Sequence, residues 1–117
     1  MKLKVSSVNP SSVFRSSDFL NDNDECWYSD AGEFQSILVD FEEVRTVSKL
    51  SIQYQGGFAA LNIDIKTPTT LINHMTEDIN QIQYVIFNPI TTQKLKLIFT
   101  NLSDPYGRLI VYRLMFE

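Results

Sequence analysis

Apolar residues recur at every second position through most of the chain. Ile37, Val39 and Phe41 alternate in this way, as do Leu50, Ile52 and Tyr54 against Lys49, Ser51 and Gln53. Leu61, Ile63 and Ile65 alternate with Asn62, Asp64 and Lys66, and Leu95, Leu97 and Phe99 with Lys94, Lys96 and Ile98. An extended backbone turns successive side chains to opposite faces, so a period of two predicts half-buried strands. Tyr84-Val85-Ile86-Phe87 is apolar throughout and reads as a short central strand. Arg108 to Phe116 is apolar on both faces: Ile110, Tyr112, Leu114 and Phe116 on one, Leu109, Val111 and Met115 on the other. That second face needs cover from the opposing layer, the N-terminal strand or a partner. Leu3 to Val8 and Thr70 to Asn73 bring the total to about eight strands.

Turn chemistry separates these runs. Asn9-Pro10-Ser11-Ser12, Gln55-Gly56-Gly57, Lys66-Thr67-Pro68, Asn88-Pro89 and Ser103-Asp104-Pro105-Tyr106-Gly107 are clusters of residues that favour turns. Ser16 to Asn23 is the one segment with room for a short helix, capped by its Ser-Ser-Asp start and too short to stand alone. Many short strands divided by turns predict an all-β, antiparallel sandwich or barrel. With 117 residues and no internal repeat or linker, residues 1–117 are expected to form a single domain.

Composition narrows the function classes. Apolar residues make up 44% of the chain, enough for a packed core. The formal net charge is −4 and no run of Lys or Arg forms a stripe, so neither nucleic acid nor an anionic membrane surface is an expected partner. No apolar stretch is long enough to span a bilayer as a helix. Cys26 is the single cysteine, so no intrachain disulfide forms. Together with an opening segment that lacks the apolar run of a signal peptide, this predicts a cytoplasmic or nuclear protein.

One stretch is more specific than the pattern. Cys26-Trp27-Tyr28-Ser29-Asp30-Ala31-Gly32 leads into Ile37–Phe41, and Leu50–Tyr54 runs into Gln55-Gly56-Gly57-Phe58. This order resembles the opening half of discoidin domains, the coagulation-factor C-type domains. It is more similar still to the small orphan-nuclear-receptor-associated repressor proteins of that fold. The similarity lies in Cys26-Trp27, Ser29-Asp30, Gly32, Ile52-Gln53, Gln55-Gly56-Gly57-Phe58, Asp104, Gly107-Arg108, Ile110 or Val111, and Tyr112. The resemblance implies a galactose-binding-like jelly roll and a role in protein–protein contact. It also implies a comparison with relatives that hold a structural calcium before the tryptophan. There a Thr lies two residues before the Trp and a Glu in the last strand. Here Glu25 stands at the first position, and the second falls near Met115, whose thioether does not suit a hard cation.

Each candidate site has a functional and a structural reading. The oxygen-rich Asn21-Asp22-Asn23-Asp24-Glu25 suits Ca²⁺, with Asp22 and Asp24 as the candidate ligands; a solvated turn is the alternative, and no metal is assigned. Trp27 is expected in the core. Cys26 is expected to be a buried, unreactive thiol, its pKa raised by nearby acid. His74 is the single histidine, read as a polar residue at a strand end; neither a Ser-His-Asp triad nor a zinc site with several His ligands is expected around it. Asp104 and Arg108 are expected to pair across a tight turn at Gly107.

Gln55-Gly56-Gly57-Phe58 forms a loop tip on which Phe58 either meets a ligand or folds back onto the sandwich; both readings stand. With Tyr28 and Tyr106 it supplies the candidate partner loops. No nucleophile elbow, phosphate loop or marked acid–base pair is present, so no catalysis and no cofactor are expected. Two functions remain: an intracellular module that binds a protein partner or serves as a small subunit of an assembly, and a carbohydrate-binding module using the loops at one end.

Overall fold

The fold is described from a computed structural model, for residues 1–10 and 26–117. The described residues form seven strands: β1 (Lys2–Val5), β2 (Trp27–Tyr28), β3 (Gln35–Tyr54), β4 (Ala60–Lys66), β5 (Leu71–Met75), β6 (Ile82–Leu102) and β7 (Ile110–Phe116). All the pairings among them are antiparallel, in the order β2-β7-β3-β6-β4-β5, with β1 on β3. The expected all-β sandwich is therefore present, assembled from fewer and longer strands than the alternation predicts.

Two long strands make the sandwich. β3 and β6 pair along most of their length, from Gln35 opposite Phe99 to Gln53 opposite Ile82. Their first and second halves belong to different layers. One layer is β1, the start of β3, the end of β6, β4 and β5. The other is the start of β6, the end of β3, β7 and β2. The ladder bends between them where its register slips. Residues 41–44 face Gln93, and residues 87–89 face Ser48. Extra residues on one strand bend it and raise its twist, which folds one hydrogen-bonded sheet over on itself.

This bend corrects several expectations. Asn88-Pro89 does not end a strand. It lies in the irregular stretch of β6, where the ladder is already interrupted and a missing N–H costs little. Ile37–Phe41 and Leu50–Tyr54 are one strand for the same reason. Tyr84–Phe87 is not central. β4 pairs with β6 only from Lys96 to Leu102, so the first part of β6 is an edge, with Tyr84 57% and Ile86 71% exposed. On β7 a bulge falls between Arg113, opposite Gln53, and Val111, opposite Tyr54. It reverses the alternation, so Val111 and Leu114 both enter the core while Met115 stays outside. Leu61 is also outside, and Ala60 takes the inward place beside it.

The core lies between the layers. Leu3, Ile37, Val39, Ile63, Ile65, Leu97 and Phe99 meet Leu50, Ile52, Tyr54, Val85, Val111, Leu114 and Phe116. Trp27 is fully buried at one end of it, its ring 6.1 Å from that of Phe99, and its Nε1 donates to the Ser7 carbonyl at 2.8 Å. It packs as expected. The segment read as a short helix, Ser16 to Asn23, lies outside the described residues.

Candidate functional site

Three connections meet at one end of the sandwich: β2 to β3, β3 to β4, and β6 to β7. Two glycines let them meet. Gly107 has a φ of +75° and Gly57 one of +87°, in the left-handed region that glycine enters without a side-chain clash. The Gly32 N–H donates to the Tyr106 carbonyl, which draws the first connection against the third. Ser29, fully buried, donates its backbone N–H to the Leu109 carbonyl and accepts the Leu109 N–H on its hydroxyl at 2.7 Å.

Gln35 ties this end together and was not singled out from sequence. Its Oε1 accepts from the Ser6 and Ser7 hydroxyls at 2.7 and 2.8 Å. Its Nε2 donates to the Asp30 and Gly107 carbonyls at 2.8 and 3.1 Å. A buried amide needs all such partners, and here they come from three separate segments. A Gln at the start of an alternating strand carries no sequence mark of that role.

Asp104 and Arg108 pair as expected. The Asp104 carboxylate accepts Arg108 Nε at 2.9 Å and Nη2 at 3.1 Å, and also the Tyr106 and Arg108 backbone N–H groups. The Arg108 hydrogen bonds hold its pKa below the ordinary carboxylate value and raise that of the guanidinium in return. With four donors on it, this carboxylate is a structural anchor and is poorly placed to act as a base.

The aromatic candidates converge on the anchored arginine. The Arg108 guanidinium carbon lies 5.3 Å from the ring centres of both Phe58 and Tyr106. Tyr28 stands 6.4 Å from Phe58, ring to ring. Tyr106 is 71% exposed, while Phe58 and Tyr28 are half-buried. Phe58 thus satisfies neither simple reading: it leans on Tyr28 and keeps part of its ring accessible. The Gln55–Phe58 turn is closed by the Phe58 N–H to the Gln55 carbonyl, and Tyr112 donates to Gln55 Oε1 at 2.6 Å. Gly56 and Gly57 form its tip, with open space around both and the Gly57 N–H on Asp78 Oδ1. Tyr28, Phe58 and Tyr106, separate in sequence, gather around Arg108, and Gln55, Gly56 and Gly57 form the turn that carries Phe58.

The other candidates lie elsewhere. Cys26 is half-buried rather than buried, and burial pushes its thiol pKa up. His74 lies on β5, its Nδ1 2.8 Å from the Met75 carbonyl oxygen. Asp22 and Asp24 fall outside the described residues; among the described residues no group of three or more His, Cys, Asp or Glu gathers at one point. No described helix is long and apolar enough to cross a membrane. The patch offers aromatic faces and a fixed cation for contact.

No protein-family model matches the chain. Curated relatives do. The chain is 36% identical over 105 residues to the nuclear receptor 2C2-associated protein of Danio rerio, covering 82% of the chain and 74% of that protein. It is 33% identical over 104 residues to the Xenopus laevis protein of the same name, covering 82% and 76%. Among solved structures it is similar to chitosan-binding module 1 from a Paenibacillus chitosanase/glucanase, with a TM-score of 0.78, 19% identity and coverage of 98% and 92%. A family 32 carbohydrate-binding module from Clostridium perfringens, solved with galactose, also has a TM-score of 0.78 at 19% identity, with coverage of 97% and 90%. At that identity the likeness is one of fold, and the fold is the galactose-binding-like jelly roll implied by the discoidin resemblance.

Proposed function

The chain belongs to the family of nuclear receptor 2C2-associated proteins, and from that premise we propose that it is a non-catalytic protein-interaction module acting in the cytoplasm or nucleus. Its partner loops are the end patch of Tyr28, Gln55, Gly56, Gly57, Phe58 and Tyr106 around Arg108, and residues 1–117 act as one domain. The observation that carries this reading is the Arg108 guanidinium, held by Asp104 and flanked at 5.3 Å by Phe58 and Tyr106. Aromatic and Arg side chains dominate the binding energy of protein interfaces, most of all when they are held in place before the partner arrives. The relatives are named for association with a nuclear receptor, which supports a protein partner and an intracellular setting.

The test is binding of the purified chain to purified nuclear receptor 2C2 by biolayer interferometry. Tyr106→Ala and Phe58→Ala are each expected to weaken it at least about tenfold. Binding that both variants leave unchanged rules out this patch, and no binding rules out this receptor as the partner.

A carbohydrate reading has one observation in its favour, the exposed Tyr106 ring beside Arg108 at the end of a fold shared with a galactose-bound module. Against it, Nε and Nη2 of Arg108 are already committed to Asp104, which leaves a poor fork for sugar hydroxyls. A glycan array with reproducible binders abolished by Tyr106→Ala favours the sugar over the protein.

A further inference from the structure

The outer face of the second layer carries an apolar groove distinct from the end patch. Its rows follow from register. Ser51 of β3 lies between Tyr84 of β6 and Met115 of β7. Ser51 is small and buried, while Tyr84 and Met115 are 57% and 46% exposed, so the two large side chains stand as walls over a serine floor. The groove encloses about 670 Å³. Ile82 and Ile86 extend the Tyr84 wall along the edge of β6. Natural edge strands are usually protected by charge, proline or a covering segment; an apolar, exposed one marks a surface that is covered in use.

Charge says what covers it. The chain has a net charge of −4, yet among the described residues the groove is lined by Arg45, Lys49 and Arg113 and by one acidic residue, Glu117. Lys49 lies with its ammonium 4.6 Å over the Tyr84 ring, and no carboxylate of the described residues pairs with it. Arg45 donates to the Phe116 carbonyl at 2.8 Å, which holds its guanidinium at the rim. A locally cationic groove on an acidic protein selects anionic partners and disfavours contact with the same groove of a second copy.

We propose that this groove docks an acidic, apolar segment of a partner protein, with apolar side chains between Tyr84 and Met115 and a carboxylate against Lys49. The surface is separate from the end patch. Lys49 and Gln55 are six residues apart along extended backbone, roughly 20 Å, while Arg113 at the other end of the groove lies opposite Gln53. The inference does not rest on the role of that patch.

The probe is a displayed library of random peptides about ten residues long, selected on the full chain. Enriched peptides are expected to combine Asp or Glu with Leu, Ile, Val or Phe. In fluorescence polarisation, Lys49→Glu is expected to weaken them at least about tenfold. Tyr84→Ser with Met115→Ser is expected to do the same, while Tyr106→Ala at the end patch leaves them unchanged. If a variant does not fold, amide shifts in the unaltered chain decide: perturbation at Ser51, Tyr84 and Met115 supports the groove. Enrichment of neutral or basic peptides, or no enrichment, overturns the proposal. So does binding lost with Tyr106→Ala but kept in the groove variants, or a dimer in sedimentation that Ile86→Lys dissolves.

Discussion

Gly107 passes so close to Gly32 that a Cβ placed on Gly107 would lie 1.6 Å from the Gly32 carbonyl oxygen. Two connections of the sandwich touch backbone to backbone at this point, and Asp104, Tyr106 and Arg108 are set by the turn that makes the contact.

Gly107→Ala is therefore expected to destabilise the fold by on the order of 3 kcal/mol, from overpacking combined with a positive φ. Gly56→Ala, where nothing lies within 4 Å of the new methyl, is expected to be neutral within about 1 kcal/mol. Urea unfolding of both variants checks the contrast. Equal effects would contradict the close approach.

Trp27 and Tyr106 lie near the same end with opposite roles. Trp27→Ala removes a fully buried indole and is expected to cost about 3–5 kcal/mol. Tyr106→Ala removes a mostly exposed ring and is expected to change stability by about 0.5 kcal/mol or less. Thermal unfolding followed by circular dichroism measures both, and a large loss in Tyr106→Ala would make that residue structural.

Tyr54 and Thr76 form a buried hydroxyl chain. The Tyr54 hydroxyl lies 2.9 Å from Thr76 Oγ1, which donates to the Ala60 carbonyl at 2.7 Å. Tyr54→Phe removes one link and is expected to cost about 0.5–1.5 kcal/mol. Thr76→Val leaves two buried groups without partners and is expected to cost more, about 1–3 kcal/mol. The order of the two denaturation midpoints is the readout.

Asp104 makes stability depend on acid. Arg108 holds its folded-state pKa below the ordinary 3.8, so the unfolded chain takes up the proton first as pH falls. The stabilisation is complete above the unfolded value and is lost as pH drops through the lower folded one. Melting temperatures below about pH 4 are expected to fall less steeply in Asp104→Asn than in the unaltered chain. The variant is expected to be less stable near neutrality. Parallel acid limbs would mean that the pair contributes nothing to folding.

The strands were legible because burial on one face forces a two-residue alternation, and Ile37, Val39, Ile52 and Leu97 all keep it. The residues proposed for the end patch stood out in the sequence, but their arrangement did not. Tyr28, Phe58 and Tyr106 are far apart in the chain, and their common neighbour Arg108 read only as the partner of Asp104. Gln35 was silent because a buried amide is recognised by what surrounds it. The groove at Ser51 was silent for the same reason, since it depends on which strands lie beside it.

Alternation, turn residues and a single cysteine thus determined by themselves an all-β chain without a disulfide, and the ordered motifs from Cys26-Trp27 to Gly107-Arg108 pointed to its family. Only the tertiary structure decided that two halves of the pattern join into β3 and β6, that Tyr84 and Ile86 stand at an edge, and that Val111 turns inward. Each of these rests on a bulge or a strand neighbour. Local preference specifies that a residue is extended, but register and layer are set by long-range pairing that no short stretch of sequence contains.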